Sequence, residues 1–420
     1  MSILSALQHN VSGKRSIWQN LPLAPPDKIL GFTELFKADT NPKKVNLIVG
    51  AYRDDAGQPC VLNAIKQAEQ TIIGKDKEYA AITGIAEFIK VSLDFAYGDD
   101  SEPLVSKRVA AAQCISGTGG CRLAAEMVRN AFGKVKVYIP DPTWANHVSL
   151  FRAAGLEPVY YKYYDATTRG VDFDGLVRDI RNAEDGSMFM MHACAHNPTG
   201  CDPTRAQWDE LSKVMLEKQH LVFFDCAYQG FASGDAEADA YAIRKFVSDG
   251  HSIMLAQSFA KNFGLYGERV GCFSMITADS EEAERVTSQL KLVIRALYSN
   301  PPIHGARIVA KVLSDPVLKP MWYAECKGMA DRILAMRLSF REKLEAGMAA
   351  RGIPANQQPS WKHVTDQIGM FCYTGLTLEQ VLKLRSEHHV YCTDDGRFSM
   401  AGLNTGNIDY VTESVLAVTV

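Results

Sequence analysis

The chain has 420 residues, 47% of them hydrophobic and 22% charged, ordinary values for a globular protein with room for a large core and two or three domains. Its 45 basic and 48 acidic residues leave a net charge of −3, too slight an imbalance for nucleic acid or an anionic membrane to be the main partner. No apolar run approaches the roughly 18 residues that a membrane helix needs. The ten cysteines are scattered without a CxxC pair, and Cys226, Cys272 and Cys372 sit inside apolar runs. That usage reads as reduced thiols in a core and points to a reducing compartment.

Residues 1–26 contain no Asp or Glu. Ile3, Leu4, Leu7 and Val11 recur at helical spacing ahead of Lys14 and Arg15, the composition of a short organellar transit peptide. An ordinary N-terminal arm is the other reading of residues 1–17. Residues 60–330 are expected to form a large domain and 331–420 part of a smaller one. Across the large domain, short apolar runs predict strands at 136–140, 158–164, 187–193, 220–225, 252–256 and 271–276. Amphipathic stretches between them, such as Thr204–Lys218 and Ala238–Ser248, predict helices. This rhythm predicts a mostly parallel sheet with helices on both faces. A long helical stretch follows from about Pro316 to Ala350. Beyond a polar loop at Pro354–Pro359 come a strand (QIGMFCYTG), a helix (LEQVLKLRSEH) and a strand (RFSMAG).

The candidate chemistry falls at the C-terminal ends of the predicted strands, where open α/β sheets place ligands. Gln257–Gly271 reads QSFAKNFGLYGERVG and sets Lys261 just after an apolar run. A lysine is seldom buried without a partner or a task. With Ser258 before it and Arg269 after it, Lys261 could form a Schiff base beside a bound phosphate, although alone it also fits a solvated loop lysine. Ser116, Gly117 and Thr118 precede an amphipathic helix, whose N-terminus suits a phosphate. The motif is not GxGxxG and lacks the acidic residue of a dinucleotide site. Asp225 closes LVFFD, either as a working carboxylate or as a turn residue. HACAH invites a metal reading through His192, Cys194 and His196, but alternate strand positions leave no room for a fourth ligand, and no metal is expected.

Several segments recur in a fixed order: VNLIVGAYRDD (Val45–Asp55), EYAAITGIAEF (Glu78–Phe88), SGTGG (Ser116–Gly120), DPTWANH (Asp141–His147) and HACAHNPTGCDP (His192–Pro203). LVFFDCAYQGFASG, QSFAKNFGLYGERVG, SNPPIHGARI (Ser299–Ile308) and GRFSMAGLNTGNID (Gly396–Asp409) follow. From about Trp18 onward the chain closely resembles the aspartate aminotransferases, pyridoxal-phosphate enzymes of class I. AKNFGLYGERVG and APPDKILGFTELFK resemble the mitochondrial type. The resemblance implies a fold-type I pyridoxal-phosphate transferase, with a seven-stranded large-domain sheet and a smaller α+β domain. It implies transamination between L-aspartate and 2-oxoglutarate in a homodimer with shared sites, in the mitochondrial matrix or, alternatively, the cytoplasm.

Residue by residue, the resemblance assigns the cofactor's covalent anchor to Lys261. It assigns the cofactor phosphate to Ser116, Gly117, Thr118, Ser258 and Arg269, with Tyr79 reaching the neighbouring subunit's phosphate. Asp225 would keep the ring nitrogen protonated, which the cofactor needs to act as an electron sink, with His192 and His147 behind it. Trp144 would stack on the ring, and Tyr228 and Asn197 would hydrogen-bond its phenolic oxygen. Arg397 would hold the substrate's α-carboxylate and Arg295, across the dimer, its distal carboxylate, a match to arginine's planar fork. Gly50 would admit substrate close to the backbone, and Phe371 would wall the site. Ala260, Gly267, His304 and Phe398 depart from the commonest cytosolic pattern, the last two with a possible effect on specificity. An aromatic or broad-specificity aminotransferase is the nearest alternative. A decarboxylase or lyase would have no evident need for both arginines, and a binding protein no need for lysine, aspartate and tyrosine in register.

Overall fold

The computed structural model describes residues 30–420, together with 8–9, 15–16, 18 and 21–24. Gln8–His9 pairs antiparallel with Arg15–Ser16, so the chain is extended there rather than helical. Ile3, Leu4, Leu7 and Val11, on which the transit-peptide reading rests, lie outside the described residues.

Seven apolar runs form one sheet. In chain order they are β1 (Val109–Ile115), β2 (Lys136–Asp141), β3 (Glu157–Lys162), β4 (Met188–His192), β5 (Leu221–Cys226), β6 (Met254–Ser258) and β7 (Val270–Ile276). Their spatial order is β1-β7-β6-β5-β4-β2-β3, and only β7 runs antiparallel to its neighbours. Helices cover both faces, which is why β4 and β6 are buried at every position and read as continuous apolar runs. On one face α1 (Ser116–Phe132) and α3 (Ser280–Leu297) pack Leu123, Val128, Leu290 and Ile294 against Ile139, Phe223 and Phe273. On the other, α2 (Arg205–Glu217) buries Trp208 and Leu211 near Phe224 and Leu255. Thr204 and Gln207 close a reciprocal capping box at the start of α2, satisfying two otherwise orphaned amides.

A third apolar cluster gathers around α4 (Leu318–Ala350), whose Trp322, Phe340 and Leu344 are fully buried. α5 (Leu378–His388) and α6 (Ile408–Thr419) flank two small sheets. Phe371–Tyr373 pairs antiparallel with Arg397–Ser399, and Val45–Asn46 pairs in parallel with Val390–Tyr391. The latter pairing brings the beginning and the end of the chain together.

Some expected boundaries move. The run at 158–164 yields β3 and then a separate pair, Tyr164–Asp165 with Gly170–Val171, and the strand at 252–256 shifts to Met254–Ser258. Ala238–Ser248 becomes two helices, Ala236–Asp239 and Tyr241–Ser248, meeting at Ala240. β1 was not foreseen, because VAAAQCI is rich in alanine, a residue depleted in strands.

Candidate active site

The sheet register lines up the C-terminal ends of its central strands. Asp225 lies beside His192 on one side and Ala256 on the other, so the residues that follow β4, β5 and β6 converge on one edge. There a cavity of about 230 Å³ opens between the sheet and the Phe371–Arg397 region. It gathers Gly50, Ser116, Gly117, Thr118, Trp144, Asn197, Asp225, Tyr228, Ser258, Lys261, Arg269 and Arg397, with His192 and Phe371. Tyr79 and Arg295 are not among its walls. Tyr79 is 89% exposed, and the exposed Arg295 turns its guanidinium to the Ser299 hydroxyl.

One end of the cavity is built to receive an anion. Ser116, Gly117 and Thr118 do not precede α1 as expected but form its first turn, with Ser116 in the left-handed region at φ +56°. No side chain caps the helix, so its first amides and the positive end of its dipole face the cavity. Ser116 and Ser258 hydroxyls lie 2.9 Å apart, and Arg269 is held beside them by a bond from Nη1 to the Tyr266 carbonyl. Two glycines permit the close approach. A Cβ at Gly120 would sit 2.7 Å from that of Ala256, and one at Gly271 would sit 2.5 Å from the Gln257 carbonyl oxygen. Backbone amides, hydroxyls and a guanidinium converging at a helix N-terminus fit a phosphate.

Asp225 occupies the middle. Its Oδ2 accepts from His147 Nε2 at 3.0 Å, and His147 Nδ1 meets the Thr143 hydroxyl at 2.9 Å, so a proton on Nε2 suits both bonds. Burial pushes the carboxyl's pKa up, but the His147 hydrogen bond, with His147, His192 and Lys261 all close by, outweighs it and holds the group below the usual carboxylate range. Its Oδ1 is buried with no partner. Burial, reinforced by His147, lowers His192 to about 3, so it is neutral at pH 7 and its Nδ1 accepts from the Asn197 amide at 3.0 Å.

Among the described residues, the side chains of HACAH are not gathered into a group of potential metal ligands. β4 ends at His192, the chain turns at Ala195 with φ +48°, and His196 stacks on His192 at 4.3 Å. Among the described residues, one group of three brings potential ligand atoms within 4.8 Å of one another: Cys121, His147 and Asp225. Burial and then Asp225 push the Cys121 thiol far up, so without a metal it stays protonated.

Lys261 faces Asp225 and Arg269. Burial lowers its pKa, Asp225 opposes that, Arg269 adds to it, and the net shift is downward. Its Nζ stands 5.8 Å from the centre of the Tyr228 ring. Burial raises the Tyr228 hydroxyl well above its ordinary value against the pull of Arg397, so it keeps its proton. Arg397 closes the far side. Its Nη1 donates to Asn197 Oδ1 at 3.1 Å and its Nη2 to the Ile48 carbonyl at 2.9 Å. The guanidinium lies 4.0 Å from the centre of the Phe371 ring, and Nε is buried without a partner. Gly50 is required here, since a Cβ would fall 2.8 Å from Phe371 Cζ.

A lysine with a depressed pKa beside an ionised carboxylate, one helix end away from an anion site, is the arrangement of a pyridoxal-phosphate transferase on a fold-type I scaffold. The chain belongs to the class I and II aminotransferase family, whose model matches residues 42–415. The mitochondrial aspartate aminotransferase of Schizosaccharomyces pombe is 50% identical over 405 residues, spanning 96% of this chain and 91% of that protein. That of Arabidopsis thaliana is 49% identical over 420 residues, spanning 99% and 96%. Among solved structures, the aromatic-amino-acid aminotransferase from Burkholderia pseudomallei, covalently bound to pyridoxal phosphate, superposes with a TM-score of 0.92 at 44% identity, covering 96% of this chain and 99% of that one. Pyridoxal phosphate fits the residues present. The unpartnered Asp225 Oδ1 suits a protonated ring nitrogen, and the α1 N-terminus suits the phosphate.

Sequence reasoning missed Thr143 and the Ile48 carbonyl, which orient His147 and Arg397. It also missed Cys121. Thr143 lies in the quoted DPTWANH motif, four residues before His147, a helical spacing that could have paired them. The main-chain acceptor left no such signal. His304 stands outside the cavity walls, with Nδ1 3.0 Å from Glu268 and Nε2 3.5 Å from Glu69. Phe398 is fully buried, its ring 6.2 Å from that of Phe340. Neither lines the cavity of its own chain.

Proposed function

We propose that this protein transfers the amino group of L-aspartate to 2-oxoglutarate, giving oxaloacetate and L-glutamate by a ping-pong sequence. The observation that carries the reading is the pairing, across one cavity, of Lys261 with a buried guanidinium, Arg397, that keeps an unused donor. When bound, pyridoxal phosphate supplies an electron sink for the charge left at the substrate's Cα. Lys261 would anchor the cofactor, and its free amine would move the proton at the substrate's Cα. Its depressed pKa favours the neutral amine that this step needs. Asp225, held ionised by His147, keeps a proton on the ring nitrogen, and the protonated Tyr228 hydroxyl and Asn197 serve the phenolic oxygen. Ser116, Gly117, Thr118, Ser258 and Arg269 bind the phosphate, and Trp144 covers the ring. Arg397 receives the carboxylate that both amino and oxo acids share, with Gly50 admitting it against the backbone.

A dicarboxylate also needs a second cation. We infer that two copies of the chain share their sites, Arg295 reaching the distal carboxylate and Tyr79 the phosphate in the other copy. Their exposure, away from their own cavity, supports this. In the same reading, residues 60–330 form the cofactor domain, 18–59 and 331–420 the small domain, and 1–17 an arm or transit segment. A matrix location rests on the acid-free start and on relatives named mitochondrial. No helix among the described residues is long and apolar enough to cross a membrane.

The likeness to an aromatic-amino-acid aminotransferase favours one alternative, a broad substrate range. A panel of aspartate, tyrosine, phenylalanine and alanine with 2-oxoglutarate as acceptor decides between them. Aspartate preferred by more than tenfold supports the main reading, and comparable rates with the aromatics support the alternative.

A further inference from the structure

Arg337 on α4 is fully buried, yet it bonds to three main-chain carbonyls and the Cys372 thiol and to no carboxylate. Nη1 donates to Val364 at 2.8 Å, and Nη2 donates to Gly369 at 2.9 Å and to Phe371 at 2.5 Å. Burying a guanidinium without a counter-charge is expensive, and a well-packed apolar residue serves stability better. All three acceptors belong to the segment 364–371, which links the helix His363–Asp366 to the strand Phe371–Tyr373. An arginine is suited to this position because its planar fork reaches several acceptors from one rigid group.

The segment so held is one wall of the substrate end of the cavity. The Phe371 ring lies under the Arg397 guanidinium, 4.0 Å from its centre, and its Cζ fills the space left by the missing side chain of Gly50. On its other side the segment is pressed onto the turn 195–200. The Ile368 amide donates to the Gly200 carbonyl at 2.8 Å. A Cβ at Gly200 would fall 2.7 Å from the Phe371 carbonyl oxygen, and one at Gly369 would fall 2.5 Å from the Ala195 Cβ. That same turn carries Asn197, which accepts from Arg397 Nη1. Two of the three neighbours that aim Arg397, the Phe371 ring and the Asn197 side chain, therefore depend on where the segment sits, the third being the Ile48 carbonyl.

We infer that Arg337 is a positioning residue for substrate binding. By clamping three carbonyls of the segment 364–371 it fixes Phe371 and Asn197, and through them it holds the free donors of Arg397 toward the carboxylate of the incoming amino or oxo acid. The inference rests on the reading of Arg397 as the carboxylate site. Lys261 and Asp225 follow or close β6 and β5, which Arg337 does not touch, so of the groups assigned to the cofactor only Asn197 depends on it.

Arg337→Lys keeps the charge but offers one nitrogen to three carbonyls. Hydrogen bonds to a charged group are strong enough that KM for aspartate and for 2-oxoglutarate should each rise about tenfold or more. The kcat and the cofactor affinity should change little. A folded Arg337→Lys protein with wild-type KM for both substrates overturns the inference. So does a rise in KM that merely tracks loss of cofactor, since that describes general destabilisation. If Arg337→Lys does not fold, Phe371→Leu keeps every carbonyl bond and removes only the ring beneath Arg397. It should give the same split, and an unchanged KM overturns the inference equally. Arg397→Lys, measured alongside, separates the two levels. If it binds both substrates normally, the carboxylate reading of Arg397 itself is wrong. If it binds them poorly while Arg337→Lys does not, only the role of Arg337 is lost.

Discussion

Asp225→Asn removes one charge and almost no volume. In the structure the carboxylate spends Oδ2 on His147 at 3.0 Å and leaves Oδ1 buried without a partner. His147 and Lys261 both stabilise the ionised form, so the asparagine loses what those groups supply and presents a neutral amide to the ring nitrogen. Taking one partner from a buried charge pair costs about 3–5 kcal/mol, which corresponds to roughly 10²–10⁴ in rate at 1.36 kcal/mol per tenfold. The loss should fall on kcat, because Arg397 lies across the cavity and binds substrate without Asp225. The assay is a single-turnover half-reaction of cofactor-loaded protein with aspartate, followed by the cofactor's visible absorption, with KM measured in the steady state. A variant within tenfold of the wild-type rate, or one whose loss lies in KM alone, would refute the assignment of the ring-nitrogen site to Asp225.

Lys261→Ala should still bind cofactor through the α1 N-terminus but lose several orders of magnitude in turnover, since proton transfer alone contributes roughly 10²–10⁴. Near-normal turnover would sink the mechanism. Arg295→Asp should lose efficiency toward aspartate and gain toward cationic amino acids, and aspartate activity surviving within tenfold would show that Arg295 is not the distal ligand. Mixing refolded Arg295→Asp and Lys261→Ala chains should restore roughly a quarter of wild-type activity, because about half the dimers carry one intact site under C₂ symmetry. No recovery despite proven exchange would place Arg295 in its own chain's site. Asp39 is lowered from 3.8 to about 2 by the Asn41 amide first and then His389, with Tyr391 adding against a small burial effect. A depressed carboxyl stabilises the fold fully above its unfolded value and loses that contribution as pH falls through the folded one. The gap in Tm between wild type and Asp39→Asn should therefore close between about pH 4 and pH 2, and a gap that widens on acidification would contradict the assignment.

The elements that were legible in the sequence share a strong local signal. LEQVLKLRSEH became α5 without a shift, and Thr204 with Gln207 formed the capping box that starts α2. The buried strands showed as apolar runs because both faces of the sheet are covered. β1 did not, because alanine packs well under α1 and α3 while saying little locally. The site followed the same division. Lys261, Asp225 and Arg397 belong to motifs whose order carried the resemblance; the sheet register brings the first two together, and Arg397 comes from the separate strand Arg397–Ser399. Ser116–Thr118 were placed one turn wrongly, because the left-handed Ser116 starts α1 earlier than a cap at those residues implies. Arg337 was illegible because it works on main-chain carbonyls, which no side-chain pattern reports. Tyr79 and Arg295 differ again: motif order names them, and the fold of one chain leaves both on the surface.

The central claim is that Lys261 is the residue that holds pyridoxal phosphate and works on the substrate from this cavity. Borohydride reduction of the cofactor-loaded protein, followed by proteolysis and mass spectrometry, tests it directly. The account predicts one phosphopyridoxyl adduct, on Lys261 within QSFAKNFG, that is absent from Lys261→Ala and suppressed when excess aspartate is present before reduction. An adduct on another lysine at full occupancy, with Lys261 unmodified, would contradict it.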